Sequence, residues 1–243
     1  MALLKVEGLR ININNRCIVD DLSLSLHAGN VYCLLGPNGA GKTTALRGIV
    51  GAIPIQNGAI HVGECSMNTH PTDAKQHLGF IPDDGWLFRN VTAQQYLMFI
   101  GKLRRMTTGQ ARSATQKLAA KFKVGDALEQ SIDELSRGTQ QKIAMIAGLM
   151  HRPNLVVMDE PLTALDPLVA REATNLIKQL RDEGVAFLIA THLLSFAESV
   201  ATHIGLLFNG QLVYQGSITE VKQYYAQNDL ETVLAYASEN FPQ

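Results

Sequence analysis

Gly36-Pro37-Asn38-Gly39-Ala40-Gly41-Lys42-Thr43-Thr44 fits the phosphate-binding template G-x-x-x-x-G-K-[ST] without a mismatch, and its surroundings agree with it. The apolar run Val31-Tyr32-Cys33-Leu34-Leu35 before it predicts a buried parallel strand, and Ala45-Leu46-Arg47-Gly48-Ile49-Val50 after it predicts a helix. The glycines let successive backbone N–H groups point into one anion-binding concavity, and the following helix turns its free N–H groups and positive dipole end to the same place. Lys42 can reach β- and γ-phosphate oxygens and the Thr43 hydroxyl can ligate Mg²⁺. Gly36, Asn38, Gly39, Ala40, Gly41, Lys42, Thr43 and Thr44 are therefore the expected contacts of a nucleoside triphosphate.

Working outward, the region from Leu3 to Leu26 alternates polar and apolar residues, as in Leu22-Ser23-Leu24-Ser25-Leu26, and predicts antiparallel strands with one exposed face. Ala59-Ile60-His61-Val62 and Gly79-Phe80-Ile81-Pro82 are further strand candidates. From about Asn90 to Met150 the pattern becomes helical: Val91, Tyr96, Leu97, Phe99, Ile100 and Leu103 fall at helical spacing, and Gln110 to Lys123 forms a second helical stretch. Beyond it, Leu155-Val156-Val157-Met158, the segment Leu168 to Glu183, and Val185-Ala186-Phe187-Leu188-Ile189-Ala190 alternate strand, helix and strand, which implies a parallel sheet. Asn209-Gly210 between two apolar runs predicts a hairpin, with a β-rich ending.

Leu155-Val156-Val157-Met158 ends in Asp159-Glu160. A buried strand that delivers an aspartate to the edge of a phosphate-binding loop places Asp159 to hold Mg²⁺, and Glu160, next to it, to polarise an attacking water.

At 243 residues, 46% hydrophobic and 18% charged, the chain suits one large α/β domain and is too apolar for disorder. A net charge of −1 supplies no global attraction to nucleic acid or anionic lipid. Cys17, Cys33 and Cys65 show no metal-binding spacing, which predicts reduced thiols. No apolar run approaches the ~20 residues needed to span a bilayer, and the chain is expected to be soluble by itself.

Leu135-Ser136-Arg137-Gly138-Thr139-Gln140-Gln141-Lys142 resembles the signature motif of ABC-family ATPases, commonly L-S-G-G-Q; Ala164-Leu165-Asp166 resembles their D-loop and Thr191-His192 their switch histidine. The resemblance runs from about Leu3 to Val221 with the motifs in the family's order. It implies a P-loop NTPase core with a mainly parallel sheet (1–89 and 151–225), an N-terminal antiparallel β region, a helical insertion subdomain carrying the signature (90–150), and a short C-terminal helix and tail (226–243). The resemblance also implies a subunit that binds and hydrolyses ATP with Mg²⁺. Two copies, or this chain and a related one, would close head to tail, with Ser136 and Gly138 meeting the partner's nucleotide, Asp166 crossing the interface and His192 contacting the γ-phosphate. Glu160, His192 and Lys42 are the expected catalytic residues.

Two positions depart from the family's pattern. Ile13 stands where an aromatic usually stacks on adenine, and Asp83 follows Gly79-Phe80-Ile81-Pro82 where a glutamine usually approaches the metal, so Thr43, Asp159 and Asp83 form the expected metal set. The expected partner is an integral membrane permease docking near Asp83 to Leu103, where Trp86, Leu87 and Phe88 follow one another, with the chain peripheral on the cytoplasmic face of the inner (plasma) membrane. Asp229-Leu230-Glu231-Thr232-Val233-Leu234 resembles the helix that often ends exporter-type members for drugs, polysaccharides and lipids. A non-transport ABC ATPase and a nucleotide-dependent regulatory module are the competing readings; one P-loop, no heptad tract and an intact Lys42, Glu160 and His192 weigh against them.

Overall fold

A computed structural model describes residues 2–83, 88 and 90–241. In chain order its elements are β1 (Leu4–Ile13), β2 (Arg16–Leu26), β3 (Val31–Leu35), α1 (Lys42–Ile49), β4 (Asn57–Val62), β5 (Cys65–Ser66), α2 (Pro71–Gln76), β6 (Leu78–Ile81), α3 (Ala93–Leu103), α4 (Thr108–Phe122), α5 (Arg137–Leu149), β7 (Leu155–Asp159), α6 (Pro167–Asp182), β8 (Ala186–Ala190), α7 (Leu194–Val200), β9 (His203–Phe208), β10 (Gln211–Ser217), α8 (Ile218–Tyr224) and α9 (Leu230–Asn240).

The strands form two sheets. Six of them run in the order β10-β9-β3-β8-β7-β6, parallel except for the edge hairpin of β9 and β10, and the other four pair antiparallel in the order β2-β1-β4-β5. Every residue of β3, β7 and β8 is buried, as continuous apolar runs demand when both faces of a sheet are covered. Their side chains alternate between two cores. Val31, Cys33, Leu35, Val156, Met158, Phe187 and Ile189 face one that also holds residues of α3 to α7 and of α9. Tyr32, Leu34, Leu155, Val157 and Leu188 face one shared with α1 and the antiparallel sheet. The region from residue 90 to 150 does not build a separate core: Ala93, Leu97, Ala111 and Phe122 belong to the first of these clusters.

Local chemistry sets the boundaries. Helices α3 and α4 each begin on a threonine–glutamine capping box, Thr92 with Gln95 and Thr107 with Gln110, so two free N–H groups are satisfied reciprocally at each start. Asn209 and Gly210 both take positive φ, 49° and 79°, the geometry a two-residue hairpin turn needs. The β-rich stretch expected around this turn is the β9–β10 hairpin, which runs to Ser217. Ser217 caps α8 and Asp229 caps α9, and Leu230, Val233 and Ala237 are buried, so the chain ends in two helices folded back on the core. All three cysteines are free. Among the described residues no helix is long and apolar enough to cross a membrane.

Candidate active site

The parallel strands end together, and β3, β7 and β8 hand functional groups to that edge, the usual place for a ligand in an open α/β sheet. From β3 the chain enters the glycine-rich loop. Gly36, Ala40 and Gly41 are buried, Asn38 and Gly39 form the exposed crest, and Thr43 and Thr44 are half-buried at the start of α1. Gly41 has φ 101°, and a Cβ there would lie 2.7 Å from the Ile18 carbonyl oxygen, so the loop closes against β2 only with glycine. No side chain caps the start of α1, which leaves its first N–H groups directed at the loop's concavity. Lys42 is buried and its Nζ donates to the Gly36 and Pro37 carbonyls at 2.7 and 3.0 Å; burial lowers its pKa. The ammonium is thus held over the concavity by its own loop.

Strand β7 brings Asp159 to the same edge, where its Oδ1 accepts from Thr43 Oγ1 at 3.1 Å. Burial pushes the Asp159 carboxyl up to about 6, against the Thr43 hydrogen bond, with Asp83 and Glu160 adding to the rise. A hydroxyl and a buried carboxylate held together suit a hard cation such as Mg²⁺, which is bound through one or two protein oxygens and otherwise by phosphate and water. Among the described residues no three His, Cys, Asp or Glu side chains gather as a cage. Asp83 does not join Thr43 and Asp159 by a hydrogen bond; its Oδ1 lies 3.6 Å from Arg137 Nη2.

Glu160 is the most constrained residue of the edge. Its φ is 44°, a left-handed conformation that costs a non-glycine residue of order 1 kcal/mol or more, and its N–H donates to the Ala190 carbonyl at 2.9 Å. Its carboxylate oxygens lie 2.8 Å from His192 Nδ1 and accept from Thr191 Oγ1 at 3.1 Å, His192 N at 3.4 Å and Thr163 Oγ1 at 3.5 Å. The end of β8 therefore clamps the acid at the end of β7. Thr191 and Thr163 were not among the expected site residues; the cue for Thr191 is a polar residue directly between a buried apolar strand and the histidine.

The signature lies at the start of α5. Ser136 is its N-cap, accepting from Thr139 N at 3.2 Å, and a Cβ on Gly138 would lie 2.8 Å from the Ala164 carbonyl oxygen, so the signature and the D-loop touch only through glycine. Asp166 caps α6, accepting from Val169 N at 3.0 Å, with Oδ2 3.9 Å from Lys142 Nζ; both its oxygens are engaged within the chain. Among the described residues no hydrogen bond or ion pair joins residues 36–44 to residues 135–139. Ile13 ends β1 beside the Asn14–Asn15 turn and is 43% exposed. Phe88 and Phe99 are exposed and stack edge to face at 5.5 Å, with Tyr96 6.0 Å from Phe88; Trp86 and Leu87 lie outside the described residues.

Known proteins resemble the chain over most of its length. A family profile described as ABC transporter matches residues 19–163, more than half of the sequence. The linearmycin resistance ATP-binding protein LnrL of Bacillus subtilis (strain 168) is 31% identical over 219 residues, covering 90% of this chain and 70% of that protein. The lipopolysaccharide export system ATP-binding protein LptB of Escherichia coli (strain K12) is 28% identical over 226 residues, 92% of this chain and 94% of that one. A solved structure described as the ATP-binding subunit of an ABC transporter superposes with a TM-score of 0.91 at 22% identity, covering 96% of this chain and 98% of that one, which is a likeness of fold.

Proposed function

The chain belongs to the ABC transporter family as an ATP-binding subunit, and from that premise we propose how its residues divide the work. Subunits of this family bind and hydrolyse ATP, close head to tail in pairs and drive a membrane permease. Here Lys42 exchanges the Gly36 and Pro37 carbonyls for phosphate oxygens, while the loop N–H groups and the start of α1 cradle the rest of the triphosphate. Thr43 and Asp159 would hold Mg²⁺, which would supply neutralisation of phosphate charge when bound. Glu160 accepts a proton from the water that attacks the γ-phosphorus as the bond to the β-bridging oxygen breaks; His192 and Thr191 aim the carboxylate. Ser136 and Gly138 meet the nucleotide of the second cassette, as an exposed helix start uncommitted to this chain's own P-loop allows.

The observation that carries this reading is the clamped Glu160, in strained backbone, beside the Thr43–Asp159 pair. Glu160→Gln keeps the shape and removes the proton acceptor, so the variant retains ATP and accumulates as an ATP-bound dimer. Size-exclusion chromatography with ATP and Mg²⁺ checks this; wild-type turnover with monomer only would overturn the assignment.

Export is the favoured direction. The relatives whose names mention linearmycin resistance and lipopolysaccharide export support it, as does the Asp229-capped terminal helix. The permease docks on the aromatic surface of Phe88 and Phe99 near Leu103, which holds the chain on the cytoplasmic face of the membrane. With the permease co-expressed, Phe88→Ala should lower the amount of chain recovered with it severalfold while ATP binding by the free chain persists. Undiminished recovery argues for docking elsewhere.

A further inference from the structure

The departure from the family pattern in the loop after β6 meets a variant position of the signature in space. Asp83, which replaces a neutral amide, lies 3.6 Å from the guanidinium of Arg137, which replaces a glycine. One turn further along α5, Gln141 is buried and its Nε2 donates to the carbonyl of Pro82 at 3.3 Å. Residues four apart share a helix face, so one face of α5 grips two consecutive residues of the loop, one by charge and one by a buried hydrogen bond. Neither a glutamine facing a glycine nor an acid facing a glycine could form the first grip.

Asp83 also stands in the field of the phosphate site. With Glu160 it helps raise the Asp159 carboxyl, so the loop acid has a negative neighbour on one side and Arg137 on the other. Positive charge arriving among the acids competes with Arg137 for Asp83. The side chains of Arg137 and Asp83 are 69% and 40% exposed. A pair this exposed contributes little to stability and breaks easily, as an adjustable tie requires; the buried Gln141 bond is the permanent one.

We propose that Arg137 is a positioning residue for Asp83, and that their ion pair makes the seating of the signature helix depend on the charge held at the phosphate site. This rests on the ATP-site reading above, and its test is arranged so that the two can fail separately.

Trp86 is the only tryptophan in the chain and lies three positions after Asp83, so its emission reports on this segment. In the full-length chain without nucleotide, raising NaCl from 0.05 to 0.5 M screens exposed pairs and should shift the emission. Arg137→Gln and Asp83→Asn should each begin near the high-salt emission and lose the salt response, the double variant should go no further, and Arg137→Lys should retain the response. Half-saturation by Mg·ATP in Arg137→Gln should fall about two- to fivefold, the amount an exposed pair withholds. Additive effects of the two neutral substitutions, or an intact salt response in Arg137→Gln, would overturn the proposal. If either single variant fails to fold, the exchange of Asp83→Arg with Arg137→Asp decides: a restored salt response supports the pair and its absence rejects it. A wild-type chain that binds no fluorescent ATP analogue would reject the ATP-site reading, while the nucleotide-free salt response still decides the pair.

Discussion

The strand edge that carries Asp159 and Glu160 and the junction between Asp83 and Arg137 are built on opposite terms. At the edge, Glu160 is held through its carboxylate by Thr163, Thr191 and His192 and through its backbone N–H and carbonyl by Ala190 and Thr163, and sits in strained backbone at the end of a buried strand. At the junction, Asp83 and Arg137 share one exposed ion pair between a loop and a helix start. The difference teaches how the molecule separates two needs: groups that do chemistry are over-determined by rigid elements, and groups that move between states are held by single contacts.

The largest effect should come from the over-determined side. Losing a positioned general base costs about 10²- to 10⁴-fold in rate. Glu160→Gln should therefore lose at least about 100-fold in kcat with ATP affinity retained, whereas Arg137→Gln should change kcat little. Steady-state phosphate release compares the two; a loss in Arg137→Gln as large as that in Glu160→Gln would erase the distinction.

A second test probes whether the helical region is rigidly seated elsewhere. His151, just after α5, lies 3.3 Å through Nε2 from the Leu78 carbonyl of β6, and its Nδ1 is buried without a partner. Burial, aided by the charge of Arg104, lowers the imidazole to about 4, against the Leu78 hydrogen bond. A histidine held neutral in the folded state contributes stability that is complete above its unfolded pKa of about 6.5 and is lost as pH falls from there to about 4. The loss amounts to roughly 3 kcal/mol, about 300-fold in the folding equilibrium. Asp159 has the opposite sign: with its folded pKa raised to about 6, its contribution is present below the unfolded value and is lost as pH rises through 6. Only the difference between variants isolates His151. His151→Gln, which keeps a donor for Leu78, should flatten the acid side of a urea-midpoint profile between pH 6.5 and 4, and an unchanged slope would show that the imidazole is not held neutral.

Legibility in the sequence follows the same division. Strands β3, β7 and β8 announce themselves because burial on both faces forces unbroken apolar runs, and the glycine-rich loop because only glycine fits against the Ile18 carbonyl. The Glu160–His192 contact follows from two strand ends adjacent in the sheet. The Asp83–Arg137 pair was hidden, since residues 54 positions apart carry no periodic signal and each alone reads as a substitution. Helix α8 has few apolar positions and its capping residue, Ser217, also suits a turn, so the sequence pattern does not announce it, whereas α9 falls inside the terminal stretch expected to be helical. Asp166 was read for the interface, yet it first serves as an N-cap within its own chain.

Thr191→Val asks how much of the clamp is redundant. The substitution keeps the volume of a fully buried residue but removes the donor 3.1 Å from Glu160 and the acceptor of Leu193 N at 3.1 Å. A hydrogen bond to a charged group is worth about 1.5–3 kcal/mol, and His192 with Thr163 still hold the acid, so kcat should fall about tenfold with KM unchanged. A loss equal to that of Glu160→Gln would mean that the carboxylate is useless without this one donor, and no loss would mean that His192 suffices.

The smallest effect belongs to the most exposed candidate. Ile13 ends β1, pairs across the strand with Arg16, and is 43% exposed on a hairpin whose two turn residues, Asn14 and Asn15, have φ of 49° and 63°. The return strand passes its Ile18 carbonyl against Gly41, so the hairpin is anchored to the phosphate loop from which a nucleotide base would extend. Base stacking on an aromatic ring is worth about 1–3 kcal/mol in nucleic-acid sites, of which an aliphatic side chain already recovers part. Ile13→Tyr should therefore tighten ATP about two- to fivefold. Tripolyphosphate, which fills the same loop without a base, supplies the control: calorimetry should show its affinity unchanged. Equal tightening of both ligands would place the gain in the loop, and no gain for ATP would place the adenine on another surface.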